Sequence, residues 1–150
     1  MTYDDFLAEL KPVDRIHVAF LEKITRRTAR RIKGKLRVLE IGSQWGLSTC
    51  AFLHHPKVVL FSVDLKHNYG EYLRRTEGLG VRHRILELKG DSHDVLPMLR
   101  RLQPAPFGLI YVDGDHAVES VRQDLTNGQA LIHPSGVMIL DDVGEMFPGV

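Results

Sequence analysis

Five short apolar runs, at residues 36–41, 57–64, 84–89, 107–113 and 137–141, have the length and composition of strands. Each carries a carboxylate at or near its carboxyl end: Glu40 just inside the first run, then Asp64, Asp91, Asp113 and the pair Asp141–Asp142. Carboxylates gathered along one edge can accept hydrogen bonds from hydroxyls, face a cation, collect a hard metal ion or take a proton. Asp64 is placed to accept from paired hydroxyls such as those of a ribose, with a helix N-cap as the plainer role. Asp91 and Ser92 follow Gly90 before a helical pattern, where an ordinary cap is the rival reading. Asp141 and Asp142 repel one another, so burial demands a partner such as a cation, while exposure relieves the repulsion equally well.

The run at 36–41 leads into Gly42-Ser-Gln-Trp-Gly46 and then a helical pattern from Leu47 to about His54. Strand, glycine turn and helix form a ligand-binding unit, because a helix N-terminus offers free N–H groups and glycine admits a ligand close to the backbone. A tight turn without ligand is the alternative. The spacing differs from the G-x-G-x-x-G of dinucleotide sites. Glu40 near the strand end suits a ligand carrying an amine or a positive charge, and S-adenosylmethionine carries both.

The stretch Glu40-Ile-Gly-Ser-x-x-Gly46-x-Ser-Thr resembles motif I of class I methyltransferases. It is most similar to a branch that includes metal-dependent sugar and small-molecule O-methyltransferases. Asp113-Gly-Asp-His116, the following Ala-Val-Glu-Ser-Val-x-x-Asp-Leu, and Pro-x-Gly-Val-x-x-Leu-Asp-Asp-Val143 resemble the signature of the same branch. The resemblance implies that Asp113, Asp141 and Asp142 gather one divalent cation, Mg²⁺ or a similar hard ion. It implies cofactor binding by Glu40, Gly42, Ser43, Ser48, Asp64, Asp91, Ser92 and Asp113. Asp115 matches the proposed general base, with His116 its rival for that role. The activity implied is methyl transfer from S-adenosylmethionine to a hydroxyl of a small molecule or sugar. The alternative is a non-catalytic domain of this fold that binds cofactor or a partner chain.

Helical segments separate the runs, which predicts a doubly wound α/β domain, Rossmann-like, with a mostly parallel sheet of about five strands. Helices are expected over 47–54, 69–77, 92–102 and 117–132, with a turn at Pro134-Ser-Gly136. Val118, Val121, Leu125 and Leu131 are the expected inward positions of the fourth of these. Two accessory helices precede the sheet. The first spans residues 2–10, with Thr2 as cap. The second runs from Val13 to about Lys33, with Ile16, Phe20, Ile24 and, more weakly, Ile32 on one face, Thr28 on the same line, and Arg26, Arg27, Arg30, Arg31 and Lys33 on the other. The chain divides into an N-terminal helical segment, 1–35, and a cofactor-binding domain, 36–150. A full core of the family adds two strands and a helix, so the sheet is expected to be short or truncated after Val150. A free edge beside the fifth strand would invite a homodimer.

With 150 residues and 43% hydrophobic composition, the chain can bury one sizeable core. Lys plus Arg total 20 against 19 Asp plus Glu, and this near balance argues against a dedicated nucleic-acid binder. The single cysteine, Cys50, rules out an intrachain disulfide, and no histidine has a zinc-ligand spacing with it. Trp45 either packs over the N-terminal helices or touches ligand. No hydrolase elbow or Walker loop is present. The start is acidic rather than signal-like and no apolar run approaches the ~18–20 residues of a membrane span, so a cytoplasmic setting is expected.

Overall fold

The structure is a computed structural model and describes residues 1–66, 69–102 and 105–141. Five strands form one sheet: β1 (Leu36–Ile41), β2 (Val58–Asp64), β3 (Ile85–Lys89), β4 (Phe107–Val112) and β5 (Ile132–Leu140). Their order is β3-β2-β1-β4-β5 and every pairing is parallel. The chain winds outward from β1 in one direction through β2 and β3, then returns to the other side of β1 for β4 and β5. The carboxyl ends of β1 and β4 therefore flank the point where winding reverses, the usual ligand crevice of such sheets.

Helices cover both faces. α1 (Tyr3–Glu9), α2 (Pro12–Arg31) and α3 (Leu47–Leu53) build one core with Leu36, Val38, Leu60 and Leu109. α5 (Ser92–Leu102) packs Val95, Leu96 and Leu99 into a second core with Leu39, Ile41, Phe61 and Ile110. The two cores alternate along β1, as the two-residue period of a strand requires. α4 (Tyr69–Gly78) follows β2, and α6 (Val118–Gln129) precedes β5. Arg37, the one basic residue in β1, lies over the rings of Phe61 and Phe107, 4.6 and 5.1 Å from their centroids. Among the described residues no helix is long and apolar enough to cross a membrane.

Thr2 caps α1 through a reciprocal box with Asp5, as its spacing predicts. The face of α2 differs from expectation. Its buried residues are Val18, Leu21, Thr25, Thr28 and Ala29, whereas Ile16 and Phe20 are 72% and 49% exposed. The threonines can be buried because Thr25 donates to the Leu21 carbonyl (2.7 Å) and Thr28 to that of Ile24 (3.0 Å). On α6 the fully buried positions are Asp124 and Gly128, and Val118, Val121 and Leu125 are only partly covered. Pro134-Ser-Gly136 is not a turn before the last strand. It lies within β5, where the partner of β4 jumps from Ile132 opposite Phe107 to Val137 opposite Leu109.

Candidate active site

The ends of β1, β2 and β4 are tied together by the backbone. Gly42 N–H donates to the Val63 carbonyl and Asp113 N–H to that of Ile41, both at 2.8 Å. Gly42 has φ +82°, and a Cβ there would lie 2.0 Å from the Asp113 carbonyl oxygen. Only glycine lets the two strand ends come this close. From Gly42 the loop passes over the sheet edge and enters α3 after Gly46.

Asp64 holds that loop. Its Oδ2 accepts from Ser43 N (2.7 Å), Ser43 Oγ (3.1 Å) and Gln44 N (3.0 Å), and its Oδ1 accepts from Lys66 N (2.8 Å). Partial burial alone would raise the Asp64 pKa. The N–H groups of Ser43, Lys66 and Gln44, with the Ser43 hydroxyl, outweigh it and hold the carboxyl below its ordinary value. These bonds also pin Gln44 in the left-handed region at φ +39°. Asp64→Ala is expected to cost about 2 kcal/mol in urea denaturation, since it releases the loop and leaves amide donors unpaired. A change below about 0.5 kcal/mol would show that the loop holds itself.

Two clefts meet at this loop. The first, of about 490 Å³, lies over the strand ends between Gly42, Asp64, Asp91, Ser92, Asp113 and Asp115. The second, of about 580 Å³, lies between the α1–α2 corner and the loop, with Ser43, Trp45, Ser48, Tyr111, Asp113 and Asp141 on its walls. Gln44 and Asp113 line both. Trp45 is 59% exposed and stands on the second cleft's wall opposite residues of the α1–α2 corner.

Glu40 stands behind the wall rather than on it. It is 0% exposed and lines neither cleft. Its carboxyl group accepts from Ser48 Oγ (2.6 Å), Thr49 Oγ1 (2.7 Å) and Ser62 Oγ (3.1 Å). Burial pushes its pKa up to about 7, against the opposing pull of those three hydroxyls. The resemblance implies cofactor contact for Glu40, and here its carboxyl group anchors the first turn of α3. Ser48, 6% exposed, spends its hydroxyl proton on that anchorage.

Asp113 and Asp141 converge on one buried phenol. The Tyr111 hydroxyl lies 2.5 Å from Asp141 Oδ2 and 3.3 Å from Asp113 Oδ2. Burial and the two carboxylates hold the phenol proton on well above its ordinary range. His17 of α2 completes the group, with Nε2 3.2 Å from the same hydroxyl and 3.8 Å from Asp141 Oδ2. Asp142 lies outside the described residues. Among the described residues no group of three or more His, Cys, Asp or Glu is arranged to hold a metal ion. The two carboxylates that do converge are hard oxygen donors and fit Mg²⁺ in kind.

Asp115 and His116 lie apart from that phenol. Asp115 Oδ2 accepts from Ser120 Oγ (2.6 Å) and Oδ1 from Ala117 N (3.2 Å), and these bonds hold its carboxyl below the ordinary value. That makes it a brace for the start of α6 and a weak proton acceptor. His116 places Nε2 3.9 Å from Asp113 Oδ1, with 46% of its side chain exposed. Cys50 is 1% exposed and its thiol is pushed up to about 12 by burial, which makes it inert. Tyr111 and His17 carry no signal of their own in the sequence, since α2 and β4 meet only on folding.

The parallel sheet, with its glycine loop at the reversal of winding, is Rossmann-like. A family model described as "Methyltransferase domain" matches residues 39–143, and the chain belongs to that family. The O-methyltransferase hkm8 of Aspergillus hancockii is 30% identical over 113 residues, 71% of this chain and 42% of the relative. The O-methyltransferase TomG of Streptomyces achromogenes, involved in tomaymycin synthesis and solved in complex with SAM, superposes with a TM-score of 0.72 at 23% identity, covering 84% of this chain and 55% of that one. An O-methyltransferase of Bacillus cereus, solved with SAH, gives 0.71 at 19% identity, covering 88% and 57%. These two likenesses show the fold. The chain spans about half the length of the relatives it matches.

Proposed function

We propose that the protein is an S-adenosylmethionine-dependent methyltransferase acting on a hydroxyl of a small molecule or sugar, with a divalent cation and in a cytoplasmic setting. The observation that carries the reading is the meeting of the two clefts at Gln44 and Asp113, one beside the glycine loop and the other beside the Asp113–Asp141 pair. Residues 36–150 then form the cofactor domain, and residues 1–35 supply a wall of the acceptor cleft through α1 and α2. The edge of β5, outermost among the described strands, is where two copies would pair.

S-adenosylmethionine brings a methyl group on a sulfonium, which needs an aligned nucleophile more than further activation. Gly42, Ser43, Asp64, Asp91, Ser92 and Asp113 would hold it, with Glu40 and Ser48 fixing the start of α3 from behind. Asp64 has acceptor capacity left on Oδ1 for ribose hydroxyls. Asp113, Asp141 and Asp142 would hold the cation, whose contribution is to lower the pKa of a bound hydroxyl. Asp115 or His116 would take the proton: Asp115 lines the first cleft but is bonded to Ser120 and Ala117, and His116 has Nε2 3.9 Å from Asp113 Oδ1.

Calorimetry with S-adenosylhomocysteine tests the reading, alongside methyl transfer to a panel of phenols and sugars with and without Mg²⁺. Binding in the micromolar range and transfer that Mg²⁺ raises are expected. Asp141→Asn should lower transfer about a hundredfold while leaving S-adenosylhomocysteine binding within about threefold. Binding without transfer to any acceptor would favour the non-catalytic alternative, and no binding would remove the cofactor assignment.

A further inference from the structure

We propose that the outward face of α2 docks on an anionic lipid bilayer, lying on the membrane surface rather than crossing it. The inference goes beyond the methyltransferase reading and depends on neither the cofactor nor the acceptor assignment. α2 packs inward through Val18, Leu21, Thr25, Thr28 and Ala29. On its other side Val13, Ile16 and Phe20 stand exposed, and Lys23, Arg27 and Arg30 follow, exposed as well. At about 100° per residue these six side chains fall within about 100° of arc. The outward face is therefore divided along its length, apolar toward the start of the helix and cationic toward its end, with Arg26 and Arg31 at the margins.

The cations have no acid to answer them. Among the described residues none of Lys23, Arg26, Arg27, Arg30 and Arg31 forms an ion pair. The two acids of α2, Asp14 and Glu22, lie about 130° or more around the helix from the middle of the arc. Two such faces brought together would set cations against cations, which argues against a second copy as the occupant. A nucleic acid offers phosphates but gains nothing from three exposed apolar side chains.

An anionic bilayer answers both halves of the face. Its headgroups carry the phosphates, and the acyl chains just beneath them take Val13, Ile16 and Phe20. The long stems of Lys23, Arg27 and Arg30 let each charge stay at headgroup level while the helix lies flat. Each Lys or Arg brought to such a surface strengthens binding about fivefold, and burial of the apolar end adds to that. Val13 also lines the second cleft, so the docked face runs up to that cleft's rim.

The test is co-sedimentation of the full chain with vesicles of phosphatidylcholine alone and of phosphatidylcholine with about a third phosphatidylglycerol. Binding is expected to the anionic vesicles only, and it should be lost as salt rises from about 0.1 M to about 0.5 M. The double variant Lys23→Gln/Arg27→Gln should bind about thirtyfold more weakly. The double variant Ile16→Gln/Phe20→Gln, which leaves every cation in place, should bind weaker by about tenfold or more. All four positions are exposed, so both variants should keep the wild-type circular dichroism. The lipid and salt dependence of wild type decides alone should either variant not fold. Equal binding to both kinds of vesicle, no binding to either, or binding unchanged in the two variants overturns the proposal. Binding to duplex RNA with none to vesicles assigns the face to nucleic acid instead. A dimer in sedimentation velocity that Ile16→Gln/Phe20→Gln dissociates, with no vesicle binding, assigns it to a second copy, and either result overturns the lipid role.

Discussion

Gly42→Ala is expected to lower stability by about 3 kcal/mol or more and to abolish S-adenosylhomocysteine binding. Two costs add at this position. The backbone sits at φ +82°, where an L side chain is strained, and the new Cβ would lie 2.0 Å from the Asp113 carbonyl oxygen. The atom it meets is backbone, fixed by the β1–β4 pairing, so no side chain can swing away. Relief requires β4 to move away from β1, and Asp113 stands where the two clefts meet. Gly34→Ala is the control. It has a similar φ, +74°, but nothing lies within 4 Å of its Cβ, so only the conformational strain of about 1 kcal/mol should appear. Urea denaturation of both variants separates strain from collision. Equal losses would mean that the close approach of the two strand ends is not what demands glycine.

The glycine loop was legible because its chemistry is local. A strand, two glycines and a helix follow one another in the chain, and their spacing alone specifies the turn. The parallel sheet was legible for a similar reason, since buried strands are continuous apolar runs and the helices between them leave parallel pairing as the simple solution. The face of α2 was not. Ile16, Phe20 and Ile24 fall on one line with Thr28, yet the helix exposes Ile16 and Phe20 and buries Thr25 as well as Thr28, both hydroxyls being satisfied by carbonyls of their own helix. A hydrophobicity pattern cannot see that a polar group has found a partner. The Pro134–Gly136 stretch reads as a turn in the sequence and lies inside β5, because turn chemistry also serves an irregular segment within a strand.

At the site, the row of strand-end acids was readable, but not its division of labour. Asp64, Asp91, Asp113 and Asp115 line one cleft, Asp113 and Asp141 line another, and Glu40 lines neither. The division depends on which hydroxyls and N–H groups reach each carboxylate, and those donors come from other elements. Ser62 of β2 and Ser48 and Thr49 of α3 enclose Glu40, while Ser120 of α6 takes Asp115. Tyr111, printed in the sequence two residues before Asp113, becomes part of the site only when β5 brings Asp141 and α2 brings His17 to its hydroxyl.

Glu40 yields the second large effect, and it is one of stability against pH. Its folded pKa is about 7, against the ordinary 4.5. Between these values the folded state binds the proton more tightly than the unfolded chain, so stability falls as pH rises through this window. The difference of pKa corresponds to about 3 kcal/mol, present as a penalty above pH 7 and absent below pH 4.5. Asp64, held low, acts with the opposite sign at more acidic pH, so the wild-type profile alone does not isolate Glu40. Glu40→Gln does, because the amide fills the same space, cannot titrate, and leaves every other group in place. Three rotatable hydroxyls around it can turn to accept from the amide N–H groups. The stability of Glu40→Gln relative to wild type should therefore rise by about 3 kcal/mol between pH 4.5 and pH 8. A difference that stays constant over that range would mean that Glu40 titrates in the folded protein as it does in the unfolded chain, and that the three hydroxyls offset its burial.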